Sequence, residues 1–154
     1  MATELIYQSS KTYNHSAGFS CCFRQWKAKS HCNQLHGYAL KIELVWEGDL
    51  DERNWVMDFG GLKNVKGFLE GIFDHTVIVA EDDPQKELYY AMQRSGLMQV
   101  VTLPAVGCEK FAELIFRTVD DMFARSPSQP DWPLLKSVQV WEHESNSAKV
   151  IRHG

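Results

Sequence analysis

The densest group of reactive side chains lies in residues 30–40, SHCNQLHGYAL. This stretch places His31, Cys32 and His36 within six positions. A thiol acts as a nucleophile or a base only as thiolate, so Cys32 would need neighbours that lower its pKa from about 8.5. Because closeness in sequence does not establish contact, a buried and unreactive cysteine is the alternative. The spacing therefore indicates a metal site or a catalytic thiol, to be weighed against a crowded piece of core.

A second candidate is the pair Asp74 and His75 in the stretch FDHT. A carboxylate beside an imidazole can fix its tautomer and raise its basicity, which makes a general acid/base pair. The pair follows a predicted helix, so the alternative is a histidine that interacts with the last helical carbonyls.

Two glutamates complete the set of candidate residues. Glu142 closes the predicted strand VQVWE. A carboxylate in a pocket accepts two coplanar hydrogen bonds, which suits an amino-pyrimidinone edge. The alternative is a solvated acid at a strand end. Glu109 opens a helix, where its charge suits the dipole without any ligand.

A zinc site would need about four ligands from Cys, His or carboxylate. Residues 36 and 38 lie on one face of a strand, as do residues 21 and 23. Three histidines across two such strands would form a catalytic metal site. The four positions hold His36, Tyr38, Cys21 and Phe23, and one histidine does not make a zinc site.

Apolar periodicity predicts the elements that position these side chains. The predicted helices are 61–73, 84–95 and 108–124. The predicted strands are 40–46, 98–103, 136–142 and 148–153, and the stretch SPSQPDWP, 126–133, is predicted to be a loop. Strands at both ends with helices between them predict an α+β fold with an antiparallel sheet.

The 154 residues fit a single domain, 1–154. A net charge of −4 and a pI near 5.8 argue against a nucleic-acid partner. No apolar run approaches the ~20 residues of a membrane span, and the N-terminus lacks the apolar core of a signal peptide. We therefore expect a cytoplasmic protein whose four cysteines are thiols.

These stretches, in this order, resemble the 6-pyruvoyl-tetrahydropterin synthase / 6-carboxy-tetrahydropterin synthase family over nearly the whole chain. GFSCCFR is similar to the family's F-S-A-A-H-R, HCNQLHGYAL to K-C-x-x-L-H-G-H-x-Y, and WVMDFGGLK to G-M-V-x-D-F-x-x-L-K. FDHT is similar to L-D-H, VGCEKFAELIF to P-T-x-E-x-x-A-x-x-I, and VQVWE to V-x-V-x-E. The resemblance implies a T-fold: an antiparallel four-stranded sheet with two helices on one face. It also implies that subunits join their sheets into a barrel, typically a homohexamer, with active sites between them.

The resemblance implies a role for each candidate residue. Cys32 would be the catalytic thiol, and Asp74 with His75 the acid/base pair that reaches over from a neighbouring subunit. Glu142 would grip the pterin ring, with Glu109 and Cys108 near it. The substrate would be of the 7,8-dihydroneopterin triphosphate class. One branch of the family forms the pyruvoyl pterin, and the other forms the carboxy pterin on the way to queuosine.

The resemblance also implies zinc held by three histidines, and here the chain departs from it. Only His36 remains, with Phe23 and Tyr38 at the other two positions. Three alternatives follow. The chain is a lyase-type enzyme that moves protons without zinc, or it recruits a metal differently, with Cys21 and His31 as the nearest replacement ligands, or it is a non-catalytic protein that binds a pterin- or purine-like ligand. A Cys-His-Asp hydrolase, unrelated to the family, is a further possibility, but it needs an oxyanion hole that the sequence does not offer.

Overall fold

The computed structural model describes residues 1–124 and 133–154. Its helices are α1 Lys63–Phe73, α2 Lys86–Arg94 and α3 Cys108–Met122. Its strands are β1 Tyr7–Tyr13, β2 Ser20–Phe23, β3 His36–Ala39, β4 Lys41–Gly48, β5 Thr76–Ala80, β6 Val100–Leu103, β7 Leu134–His143 and β8 Asn146–Ile151. The three predicted helices are confirmed to within two residues at each end. The predicted loop, apart from Pro133, lies outside the described residues.

The main sheet has the strand order β1-β4-β7-β8 and is antiparallel throughout. Ile42, Leu44 and Trp46 alternate along β4 and are fully buried, because α1 and α3 pack on that face. The opposite face is polar, as in the hydrogen bond from Thr12 to Glu43 of 3.2 Å. This four-stranded antiparallel sheet with two helices on one face confirms the predicted α+β architecture.

A second sheet has the order β3-β2-β5-β6. Strand β6 lies within the predicted strand 98–103, and β2 and β3 hold the strand residues expected at 21–23 and 36–38, but β5 and the sheet itself were not predicted. Its strands β2, β5 and β6 are parallel, whereas β3 pairs antiparallel with β2. All five residues of β5 are buried, as expected for a central strand covered on both faces. Helix α2 covers one side, where Tyr89 packs against Val77 and Val79.

The two sheets meet at Leu40, where the chain passes from β3 into β4. The Leu40 N–H donates to the Phe19 carbonyl at 3.0 Å, which ties the crossing point to the residue before β2. Residues 36–38 therefore lie at the junction of the sheets, close to the end of β7. Within the described part of the chain, no helix has the length and apolar character needed to cross a bilayer.

Candidate active site

Cys32 lies in a short 3₁₀ turn, His31–Asn33, that follows β2. The Ser30 hydroxyl accepts from the Cys32 N–H at 3.3 Å and caps the turn. The Cys32 carbonyl accepts from the Gln25 N–H at 2.9 Å. The turn is therefore fixed to the chain that leaves β2, and the thiol is half-buried.

Arg24 holds the same turn from the other side. Its Nη1 donates to the Asn33 carbonyl at 3.1 Å, while Nε and Nη2 donate to the two oxygens of Asp83 at 2.9 and 2.7 Å. The Asp83 side chain is 1% exposed, and the hydrogen bonds from Arg24 hold the pKa of its carboxyl below the usual range. Arg24 lies in the motif GFSCCFR, but no local pattern in the sequence indicates its partner 59 positions away.

We expect Asp83→Asn to lower the free energy of unfolding by about 2–4 kcal/mol at pH 7, because it removes the carboxylate that pairs with the half-buried Arg24. Since the pKa of Asp83 is depressed in the folded state, the wild-type advantage is present above about pH 4 and is lost as pH falls through the folded pKa. Urea unfolding at several pH values measures both effects.

Asp82→Asn is the matched control, because the Asp82 side chain is 53% exposed and pairs with the exposed Lys27. It should cost less than about 1 kcal/mol. Equal losses of unfolding free energy in the two variants would show that the Arg24–Asp83 pair stabilises the fold no more than the exposed Lys27–Asp82 pair.

The positions of the implied zinc ligands form an aromatic cluster. Phe23 pairs with His36 across β2 and β3, and Cys21 pairs with Tyr38. The ring centroids of Phe23, His36 and Tyr38 lie 5.1–6.1 Å apart. Phe23 also meets the Phe111 ring edge-on at 5.0 Å and is 1% exposed. The sequence-based prediction that these side chains share a face is therefore correct.

Glu142 reaches this cluster from the end of β7. A bulge between Trp141 and His143 in the pairing with β8 sits at this residue, and bulges commonly redirect a side chain. Burial raises the pKa of Tyr38, and the charge and hydrogen bonding of Glu142 raise it further, with a contribution from Cys32. The neutral hydroxyl of Tyr38 thus lies near both Glu142 and Cys32.

Cys108, the first residue of α3, also interacts with Glu142. Burial, followed by the charges of Glu142 and Glu109, raises the pKa of the Cys108 thiol to about 12. Cys108 is therefore a neutral thiol near pH 7, suited to contact the carboxylate rather than to act as a nucleophile. Glu109 stands in the first turn of α3, where the positive end of the helix favours its charge.

Asp74 and His75 lie elsewhere on the chain. The Asp74 Oδ1 and the His75 Nδ1 are 2.8 Å apart, but the His75 side chain is 84% exposed. The His75 N–H donates to the carbonyl of Ser20, the first residue of β2. The Cys32 carbonyl instead accepts from the N–H of Gln25, two residues beyond the end of β2. Five residues of extended chain at about 3.3 Å each separate the two points, so one chain does not bring the thiol and the imidazole together.

His75 also has a positive φ of 57°. This left-handed conformation costs a non-glycine residue roughly 1–2 kcal/mol. The backbone hydrogen bond to Ser20 holds it in place, and the result is an imidazole that points outward with its Nδ1 fixed by Asp74.

The donor set does not fit a three-histidine metal centre. Phe23 has no ligand atom, and the pKa of the neutral Tyr38 hydroxyl is raised. His36 Nδ1 lies 2.6 Å from the Gln34 carbonyl, which leaves Nε2 as its single free nitrogen. Burial and the neighbouring Cys22 raise the pKa of Cys21 to about 12, which disfavours the thiolate that zinc requires. In residues 1–124 and 133–154, no three His, Cys, Asp or Glu side chains are grouped to hold a metal ion.

Comparisons with known proteins match this architecture. A 6-carboxy-5,6,7,8-tetrahydropterin synthase of Aquifex aeolicus is 33% identical over 98 residues, which are 62% of this chain and 57% of that enzyme. The fold is shared with an uncharacterised protein of Wolinella succinogenes, at a TM-score of 0.81, 23% identity, and coverage of 97% of this chain and 100% of that one.

The fold is also shared with a 6-pyruvoyl tetrahydropterin synthase of Plasmodium falciparum, at a TM-score of 0.66 and 16% identity. The match covers 96% of this chain and 98% of that one. These likenesses confirm the expected T-fold. The family described as 6-pyruvoyl tetrahydropterin synthase matches residues 12–153. The chain therefore belongs to the 6-pyruvoyl tetrahydropterin synthase family.

Proposed function

We propose that this chain is a lyase of the tetrahydropterin synthase type that acts on a dihydropterin of the 7,8-dihydroneopterin triphosphate class. One observation carries the proposal: beyond the effect of burial, the charge of Glu142 raises the pKa of both Tyr38 and Cys108, and Cys32 contributes to the shift at Tyr38. The Tyr38 ring also lies 6.2 Å from the ring of His143, the residue after Glu142. A carboxylate can accept two coplanar hydrogen bonds from the amino-pyrimidinone edge of a pterin. A thiol beside it would then face the side chain of the bound ring.

Proton transfer follows from the roles of the remaining residues. Asp74 accepts the Nδ1 proton of His75, so Nε2 carries the free lone pair of a base. His75 takes the thiol proton of Cys32, and the thiolate removes a proton from the ligand carbon next to the ring. Glu142, Glu109 and Cys108 bind the ring and do not exchange protons with it.

These groups belong to one site only if two chains build it. Cys32 and His75 lie at opposite ends of β2, and the exposed His75 imidazole is free to enter a neighbour's pocket. Strands β1 and β8 form the two edges of the main sheet, and such edges are available to pair with other chains. Both features support a ring-shaped homo-oligomer, for which we propose the homohexamer.

We propose that the reaction proceeds without a three-histidine zinc centre. Phe23 and Tyr38 support this, because neither supplies a ligand comparable to histidine. We propose that the chain belongs to the branch of the family that forms the 6-carboxy product and acts in queuosine biosynthesis in the cytoplasm. The similarity to the 6-carboxy-5,6,7,8-tetrahydropterin synthase of Aquifex aeolicus supports the choice of this branch.

A non-catalytic protein that binds a pterin- or purine-like ligand is the second candidate. The replacement of two zinc ligands by Phe23 and Tyr38 favours this non-catalytic candidate. Without the metal, the site lacks an electrophile that contributes several kcal/mol to metal-ion catalysis. This candidate keeps the role of Glu142 and assigns none to His75.

Binding and turnover separate the two candidates. We expect Glu142→Gln to weaken binding of 7,8-dihydroneopterin about 30-fold or more, because an amide presents one acceptor instead of two and its N–H₂ opposes the ring's donors. Cys32→Ala should change the affinity less than about threefold while it stops turnover of the triphosphate. Fluorescence titration and product analysis measure these effects.

Glu144→Gln is the control, since Glu144 is an exposed acid two residues away. Ligand binding without turnover in the wild-type protein would favour the second candidate. Unchanged binding in Glu142→Gln would contradict both candidates.

A further inference from the structure

Gly107 leaves a space at the start of α3 that another side chain occupies. It is the N-cap residue and has a φ of 115° and a ψ of 160°, a conformation that glycine adopts readily and other residues rarely do. A Cβ atom built on Gly107 would lie 2.3 Å from the Nε2 atom of Gln25. The carboxamide of Gln25 therefore fills the room that any side chain at position 107 would take.

Two hydrogen bonds fix Gln25 in this place. Its backbone N–H donates to the Cys32 carbonyl at 2.9 Å, and its Nε2 donates to the Val106 carbonyl at 3.2 Å. The bond to Val106 sets the orientation of the amide, because the Oε1 atom would be repelled by that carbonyl. One N–H and both lone pairs of Oε1 remain available to a ligand.

Gln25 thus bridges the turn that carries Cys32 and the helix that carries Cys108 and Glu109. The Oε2 atom of Glu109 lies 3.7 Å from the same Cβ position at Gly107. The two glutamates of the site, Glu142 and Glu109, can only accept hydrogen bonds when ionised. Gln25 adds a neutral donor and a neutral acceptor side by side.

The chemistry of the ring decides which edge such an amide can serve. With Glu142 bound to the 2-amino group and N3–H, two flanks of the pterin remain. The flank of O4 and N5 offers two acceptors, so Oε1 would face an acceptor there. The flank of N1 and N8 in a 7,8-dihydropterin offers an acceptor, N1, beside a donor, N8–H. A carboxamide can bind both atoms at once, with its N–H on N1 and its Oε1 on N8–H, in the same way that glutamine pairs with adenine.

We propose that Gln25 contacts the ligand and selects the 7,8-dihydro oxidation state of the ring. Its N–H donates to N1, and its Oε1 accepts from N8–H. An oxidised pterin has an unprotonated N8, which would face Oε1 without a proton between them. Rotating the amide does not relieve this conflict, because Val106 holds Nε2. This inference rests on the proposed function, since it assumes that Glu142 binds the amino edge.

The test compares 7,8-dihydroneopterin with neopterin, which have the same side chain and no triphosphate. Affinities are measured by fluorescence titration and competition without oxygen, so that the reduced ring persists. We expect the wild-type protein to bind the dihydro form about 10- to 100-fold more tightly, the range expected for one unsatisfied polar contact. Gln25→Met preserves the length of the side chain and removes the amide, and it should reduce the ratio of affinities to about threefold or less.

Gln25→Glu distinguishes ligand contact from a structural role. A carboxylate still accepts from N8–H and still opposes an unprotonated N8, so the ratio should stay above about tenfold while both affinities fall. Gln99→Met is the control, since Gln99 is exposed and precedes β6, the edge strand of the second sheet opposite β3. A ratio unchanged in Gln25→Met would overturn the role of Gln25. Failure of the wild-type protein to bind either compound would instead overturn the proposed function, and this inference with it.

Discussion

A one-to-one mixture of Cys32→Ala and His75→Ala chains, assembled together, should regain about one quarter of the wild-type turnover, although neither variant is active alone. Each substitution removes a group that moves a proton and should lower turnover by about 10²- to 10⁴-fold. Within one chain the two residues lie at opposite ends of β2. A site built by two chains therefore stays intact when the His75→Ala chain supplies Cys32 and the Cys32→Ala chain supplies His75.

The matched control mixes Cys32→Ala with the double variant Cys32→Ala, His75→Ala, which offers no intact pairing. Turnover is followed with the triphosphate substrate after denaturation and joint refolding, so that chains exchange fully. If the first mixture stays as inactive as the control, Cys32 and His75 do not act together across an interface.

The double variant Phe23→His, Tyr38→His should bind one equivalent of zinc at least about 10³-fold more tightly than the wild-type protein. In a tetrahedral site with Zn–N distances of about 2.1 Å, imidazole centroids lie about 5 Å apart. The rings of Phe23, His36 and Tyr38 are already 5.1–6.1 Å apart. The Gln34 carbonyl also holds His36 Nδ1, as a metal-binding histidine requires.

The single variant Tyr38→His is the control for this gain, because two histidines supply fewer ligands than a catalytic zinc site needs. Competition with a fluorescent zinc chelator measures the affinities. Circular dichroism shows whether the fold tolerates a histidine in place of the buried Phe23. If the folded double variant binds no zinc, the geometry of this cluster is not that of a metal site.

The sequence predicted three strands of the main sheet, β4, β7 and β8, and its two helices because their patterns are long and regular, whereas β1 was not predicted. Ile42, Leu44 and Trp46 alternate along β4, and Val65 and Leu69 of α1 repeat at helical spacing. Strand β5, which joins β2 to β6 in the second sheet, was missed for a physical reason. Strand β5 is a continuous apolar run of five residues, which periodicity alone does not distinguish from other buried segments.

The candidate site was predictable in its residue types but not in its assembly. The resemblance assigned Cys32 and Glu142, and the structure places Tyr38 close to both of them. The separation of Cys32 and His75 was not predictable, because it depends on the direction and length of β2. The short sequence motifs carry no information about either property. Gln25 was missed because its hydrogen bond to Val106 joins residues 81 positions apart, which no local pattern reveals.

We propose that a pterin site persists in this chain without the three-histidine metal centre. The most direct measurement is turnover of 7,8-dihydroneopterin triphosphate by the purified protein before and after prolonged dialysis against a strong chelator, with the zinc content determined on the same samples. We predict far less than one zinc per chain and a turnover that the chelator does not change. Stoichiometric zinc whose removal abolishes turnover would contradict the account.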